Sequence, residues 1–156
     1  VNASDVMITQ VVKVLENDTI RTVLEKMDAH RIGGMPVVND RNEICGYISD
    51  GDIMRAIGRH NPLVIDSLTF VAMWTDTVPM EQKISDLLTC SVMGLATKKA
   101  ITVNVETPLD TVAALLGRKH IKKVLVEKNG GCLAGLISRG DIVRYLTQRC
   151  SQRLSG

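Results

Sequence analysis

Residues 5–57 align with residues 94–146 without a gap, at a constant offset of 89. The best-preserved phrase, Gly46-Tyr47-Ile48-Ser49-Asp50-Gly51-Asp52-Ile53, returns as Gly135-Leu136-Ile137-Ser138-Arg139-Gly140-Asp141-Ile142. A duplicated unit of this size builds two like halves around a shared core. It also makes two similar sites, so a motif found in both copies carries more weight than one found once.

Each copy reads β-α-β-β-α. In the first, Val11 to Leu15 has the β-branched character of a strand. Asn17 and Asp18 offer an N-cap, and Ile20, Val23, Leu24 and Met27 then recur at helical spacing. His30 and Arg31 end that helix with charge suited to its dipole, and Gly33-Gly34 is expected to stop it. Met35 to Val38 and Ile44 to Ile48 are strands around the turn Asn39-Asp40-Arg41-Asn42, and Ser49 caps a last helix. In the second copy Ile101 to Val105 is the first strand, and Thr107-Pro108 starts a helix expected to run to about His120. Val124 to Glu127 and Leu133 to Ile137 form a hairpin across Asn129-Gly130-Gly131, and Ser138 caps the last helix. The helix through Leu109, Val112, Ala113, Ala114, Leu115 and Leu116 is apolar around most of its circumference, which predicts burial on more than one side.

The segment between the copies holds Phe70 and Trp74, the only Phe and the only Trp, among many aliphatic residues. It is too apolar for a flexible tether and is expected to pack over the module or a partner. Glu81 to Thr89 reads as a short helix, and the polar tail from Thr147 to Gly156 is expected to fray.

Aromatic residues make up 3% of the chain, so its core is aliphatic. The net charge is +2 with acids and bases intermixed, which argues against nucleic acid as a main partner. No apolar stretch reaches the roughly 18–20 residues that span a bilayer, so no membrane span is expected within the chain. Cys45, Cys90, Cys132 and Cys150 are scattered without a C-x-x-C, as free thiols in a reducing cytoplasm would be. The chain opens on Val and not Met, which fits either a fragment or a trimmed sequence and leaves room for a transporter or enzyme domain outside it. No nucleophile–base pair, metal cluster or cofactor fingerprint stands out, so no catalytic residue, metal or cofactor is assigned. His30, His60 and His120 lack convergent partners in sequence, and Gly33-Gly34 and Gly130-Gly131 read as turns, not phosphate loops.

The motif that carries chemistry is Gly-h-h-Ser-x-x-Asp, present as Gly46, Ser49, Asp52 and as Gly135, Ser138, Asp141. Ser lies at a helix N-cap, where unpaired N–H groups and the dipole favour an anion. Asp lies on the same helical face and suits a ribose diol. The same spacing also makes a capping box, in which Ser and Asp satisfy the backbone and nothing binds.

The ordered combination of the β-α-β-β-α repeat, the phrase His30-Arg31-Ile32-Gly33-Gly34-Met35-Pro36-Val37-Val38 and Gly-h-h-Ser-x-x-Asp-Ile resembles tandem CBS domains, the Bateman module. The resemblance implies an α/β (α+β) fold in which two CBS repeats pack as a pseudo-twofold pair. It divides the chain into a first motif at 5–59, an apolar linker with a short helix at 60–93, and a second motif at 94–148. It implies adenosine-containing ligands in the clefts between the motifs and homodimers formed through helices. Carried over residue by residue, Asp52 and Asp141 match the ribose-binding acid, and Ser49 and Ser138 the group that meets ribose or phosphate. Val12 and Ile101 match positions framing the base. Met35, Pro36 and Val37, with Val124, Leu125 and Val126, match the apolar walls. Thr97 is an added contact whose counterpart Ile8 is apolar, and Lys122-Lys123 stands where the first copy has Gly33-Gly34. The basic pair favours a charged nucleotide at the second site, or is simply solvated.

The resemblance implies a cytoplasmic regulatory module that senses an adenosine nucleotide of the AMP, ADP and ATP class, or S-adenosylmethionine, rather than an enzyme. The alternatives are a structural, dimerising module without ligand and a regulatory fragment of a larger enzyme or transporter.

Overall fold

The computed structural model describes residues 1–58, 62–66, 71–74 and 78–154, with backbone alone at 62–66 and 71–74. Each repeat contributes one three-stranded sheet. In the first, β1 (Val14–Leu15) runs parallel to β2 (Gly34–Val38), which pairs antiparallel with β3 (Ile44–Ser49). In the second, β6 (Thr102–Asn104), β7 (Lys123–Lys128) and β8 (Cys132–Ser138) repeat the arrangement. Helices α1 (Ile20–His30) and α2 (Asp50–Ile57) complete the first unit. Helices α5 (Leu109–Leu116) and α6 (Arg139–Leu154) complete the second. Between the units lie a hairpin of β4 (Pro62–Asp66) and β5 (Val71–Trp74), then α3 (Met80–Thr89) and α4 (Val92–Leu95). The expected α+β pair of repeats is therefore the observed one.

Hydrophobic periodicity explains the two cores. Ile20 and Val23 of α1 are fully buried, with Leu24 and Met27 packed behind them against Met35, Val37 and Ile48. Val112 and Leu116 of α5 do the same over Val124, Val126 and Ile137. Full burial of one such side chain contributes about 1.5–3 kcal/mol.

The first strands are shorter than the β-branched runs suggest. Two residues of the first run pair with β2, and Lys13 gives its carbonyl to the Lys26 ammonium instead (2.6 Å). Helix α1 is stopped by Arg31, in the left-handed conformation at φ 51°, and not by Gly33-Gly34. Helix α5 ends at Leu116, short of His120. Its Ala113 and Ala114 are exposed, so this chain covers one side of the helix, not several. The tail does not fray after Leu146; α6 continues through Leu154, with Arg149 stacked over the Tyr145 ring. The expected linker helix is α3, whose Leu87 enters the first core. Phe70 and the side chain of Trp74 lie outside the described residues.

The two units are joined by exchange of their entry segments. The short 3-10 turn Ala3–Asp5 precedes the first repeat in sequence but docks on the second. There Ala3 N–H donates to Thr107 O (2.9 Å), Leu109 N–H donates to Val1 O (3.1 Å), and Ala3 is fully buried in the second core. Helix α4 precedes the second repeat but docks on the first: Val92 N–H donates to Asp18 O (3.0 Å), and Ile20 N–H donates to Cys90 O (2.9 Å). Val92 is fully buried in the first core. Further along, Ile8 pairs with Leu136 of β8 and Thr97 pairs with Tyr47 of β3, both antiparallel. Val38, Leu125 and Leu133 form a third buried cluster between the sheets.

Two glycines permit these crossings. A Cβ at Gly46 would lie 2.6 Å from Thr97 O, and one at Gly135 would lie 2.7 Å from Ile8 O. Both obstacles are backbone and cannot swing aside. Gly46→Ala and Gly135→Ala should each lower the free energy of unfolding by about 1–3 kcal/mol, the cost of overpacking. Urea denaturation measures this, and an unchanged midpoint in either variant would contradict the crossing geometry.

Candidate functional site

A cleft of about 430 Å³ opens between the two units. That volume falls in the range of small-molecule sites. Gly33 and Gly34, Tyr47 and Ser49 of β3, and Asp50 at the start of α2 line one side. The segment Thr97, Lys99, Ala100, Ile101 and the turn His120, Ile121, Lys122 line the other, with Lys123 and Leu125 of β7.

Strand alternation decides which side chains face it. Lys123 and Leu125 share the cleft face of β7, whereas Val124 and Val126 turn into the second core. On β2 the same rule sends Met35 and Val37 into the first core, where they are 1% and 0% exposed. Pro36 is buried opposite Tyr47 in register. Val12 packs against the first core. The cleft thus brings together Ser49, Thr97, Ile101, Lys123 and Leu125 of the residues singled out from sequence. Met35, Pro36, Val37, Val124 and Val12 do not line it, and neither do Asp52, Ser138 and Asp141.

Both Ser-x-x-Asp motifs form capping boxes. Asp52 Oδ2 accepts from Ser49 N–H (2.9 Å) and from Ser49 Oγ (3.0 Å), and Asp52 N–H donates to Ser49 Oγ (3.4 Å). Asp141 repeats this with Ser138 N–H (2.7 Å), Ser138 Oγ (2.8 Å) and a return bond of 3.3 Å. A third partner, unanticipated from sequence, completes each box. Arg55 donates to Asp52 Oδ1 at 2.6 Å, and Arg144 donates to Asp141 Oδ1. Asp52 is 9% exposed and Asp141 5%. A carboxylate has roughly four lone-pair positions, and three on each aspartate are filled. Each arginine follows its aspartate by three residues and so shares its helical face. Arg55 and Arg144 also stand at the common offset of 89, a signal in the sequence that could have found them.

Gly33 and Gly34 have a role beyond the turn. A Cβ at Gly34 would lie 2.6 Å from the Tyr47 hydroxyl oxygen, and one at Gly33 would lie 2.9 Å from Asp50 Oδ2. Their lack of side chains admits Tyr47 and Asp50 to the cleft wall. Burial, followed by the Asp50 charge, raises the Tyr47 phenol pKa above its ordinary value. At neutral pH the phenol is therefore a protonated hydrogen-bond donor. Lys99, Lys122 and Lys123 outnumber the one carboxylate, Asp50, so the cleft wall carries a positive excess. The linear pattern assigns Lys122-Lys123 and Gly33-Gly34 to two different sites; the fold brings both turns to one cleft. Tyr47, Asp50 and Lys99 escape a reading of the sequence because their positions depend on the crossing of the Thr97 segment over β3.

The family model for the CBS domain matches this chain twice, at residues 3–59 and 92–148. The chain belongs to the CBS domain family, as a tandem pair. An uncharacterised protein of Methanocaldococcus jannaschii is 29% identical over 150 residues, covering 91% of this chain and 89% of that protein. The CBS-pair protein CBSX2 of Arabidopsis thaliana superposes with a TM-score of 0.74 at 24% identity, covering 96% of each chain. A second structure of CBSX2, in complex with AMP, gives a TM-score of 0.70 at 23% identity, covering 94% of this chain and 96% of that one. A CBS domain pair in complex with 5'-methylthioadenosine and S-adenosyl-L-methionine gives 0.64 at 16% identity, covering 96% and 98%. Among the described residues no helix is long and apolar enough to cross a membrane.

The capping boxes predict a stability effect. Ser49→Ala and Ser138→Ala should each lower the unfolding free energy by about 1 kcal/mol, the usual contribution of an N-cap hydroxyl. Denaturant titration checks this, and wild-type stability in both variants would contradict the capping role.

Proposed function

We propose that this CBS pair is a regulatory module that binds a phosphorylated adenosine nucleotide in the cleft between its two units. The observation that carries the reading is the cleft itself: apolar walls from Ala100, Ile101, Ile121 and Leu125 beside Lys99, Lys122 and Lys123. The apolar walls suit a base, and the lysines suit phosphate oxygens. AMP bound to CBSX2 and S-adenosylmethionine bound to another CBS pair support an adenosine ligand. The positive excess favours the anionic nucleotides over S-adenosylmethionine, whose sulfonium is a cation. Ser49 Oγ and the protonated Tyr47 phenol are the polar groups for ribose or phosphate. Asp52 does not line the cleft, and a ribose hydroxyl reaches it only if the ligand extends past the lining residues and displaces Arg55, whose side chain is 72% exposed. Asp141, Ser138, Val12 and Pro36 belong to the pseudo-symmetric position, which we assign a secondary role, whereas Met35 and Val37 are core residues with no place for a ligand.

Regulation follows if ligand binding favours one arrangement of the two units, since a ligand shifts an equilibrium only by its differential affinity for the two states. Exposed apolar residues on the outer helices, Met54, Val143 and Leu146, are the surface through which a homodimer forms. A module of this kind acts through binding and performs no catalysis of its own.

Isothermal titration with adenosine, AMP, ADP and ATP tests the reading. Affinity should rise with phosphate number and fall with added salt. It should drop about tenfold in Lys123→Glu, the scale of removing one charge-assisted hydrogen bond. Equal affinity for adenosine and ATP would contradict a basic phosphate site. Absence of binding by all four, with the chain folded, would favour a structural module instead.

A further inference from the structure

The basic turn that borders the cleft is held by a side chain with no counterpart in the first repeat. Position 117 is Gly where the first repeat has Asp28, and position 139 is Arg where the first has Asp50. Glycine lowers helix stability, and α5 stops at Leu116 with Gly117 as its C-cap. The early stop leaves a carbonyl without its backbone partner. In the first repeat Met27 O, at the position equivalent to Leu116, accepts the backbone N–H groups of Arg31 and Ile32. In the second repeat Leu116 O accepts Arg139 Nε at 2.8 Å instead. The same guanidinium donates from Nε to Ile121 O (3.1 Å) and from Nη2 to Arg118 O (3.1 Å). The Arg139 N–H donates to Lys122 O (3.4 Å). A side chain thus replaces the backbone cap and gathers residues 116–122 into one fixed turn.

That turn presents His120, Ile121 and Lys122 to the cleft and leads into Lys123. His120 adopts φ 75°, left-handed like its counterpart Arg31 at φ 51°, so both repeats make this turn while only the second ties it to an arginine side chain. A planar guanidinium meets several carbonyl oxygens from one place, which a lysine ammonium on a flexible stem does not reproduce.

The geometry points to Arg139 as a positioning residue that sets the phosphate-binding wall of the cleft without itself lining it. Arg139 thereby determines specificity for phosphorylated over unphosphorylated adenosine ligands. The inference rests on the nucleotide reading of the cleft given above. It also places the tether beside Ser138, so the second repeat's own capping box is one residue from the group that shapes the cleft.

The test combines Arg139→Ala and Arg139→Lys with titration by ATP and by adenosine, and with amide hydrogen exchange on the full chain. In Arg139→Ala, ATP affinity should fall about tenfold or more while adenosine affinity stays within about twofold, as expected when phosphate contacts alone are weakened. Amides in 117–122 should exchange faster, with those of β7 and β8 unchanged. Arg139→Lys should resemble Arg139→Ala, because the fork is removed while the charge remains. An equal fall for both ligands, no fall for either, or wild-type behaviour in Arg139→Lys would each overturn the proposal. If the wild-type chain binds neither ligand, the nucleotide reading itself fails and the specificity role falls with it; if it binds both and the variants match it, Arg139 alone is refuted.

Discussion

The reciprocal crossing of the two entry segments is the constraint on which the rest of the structure depends. Each segment leaves its own repeat and adds backbone hydrogen bonds and one buried side chain, Ala3 or Val92, to the other. Neither repeat has a complete core without the chain that leads into its twin. The crossing at Thr97 and Tyr47 also builds the cleft, because it lays Thr97, Lys99, Ala100 and Ile101 beside Ser49 and Asp50. Core, interface and site are therefore consequences of one exchange, and Gly46 and Gly135 are where the sequence allows it.

The same duplication that makes the fold symmetric leaves the cleft unequal in chemistry. Gly33 and Gly34 give space, Lys122 and Lys123 give charge, and both meet across one cavity. The Ser-x-x-Asp phrases serve stability first. Their carboxylates are nearly buried and largely satisfied by serine and arginine, so a buried charge is compensated before any ligand arrives. A ligand that reaches Asp52 competes with Arg55, whose exposed side chain compensates the nearly buried carboxylate.

Much of the fold is legible in the sequence because the repeat and local periodicity carry it. The spacing of Ile20, Val23, Leu24 and Met27 locates α1, and Asn129-Gly130-Gly131 locates the β7–β8 hairpin, where all three residues take positive φ. Arg31 is harder to read as the helix stop, because a glycine pair two residues later offers an easier explanation. The early end of α5 follows from Gly117, one residue whose effect shows only beside the rescue by Arg139. The continuation of α6 rests on local bonds such as Thr147 Oγ1 to Val143 O (2.9 Å), which polarity alone disguises as a fraying tail. The site is legible in part: Ser49, Thr97, Ile101, Lys123 and Leu125 meet at the cleft, whereas strand alternation carries Met35, Val37 and Val124 away from it. Which turn shares a cleft with which strand is a long-range fact that a linear pattern does not encode.

The proposed receipt of a phosphorylated ligand by one cleft, built by the crossing of residues 97–101 over β3, is open to a direct measurement. Backbone amide chemical shifts recorded during titration with ATP supply it. The predicted changes cluster at Gly33, Gly34, Ser49, residues 97–101 and residues 120–123. Changes confined to the pseudo-symmetric segment, Ile8 to Val12 with Ser138, or spread over the outer helices with the cleft silent, would contradict it.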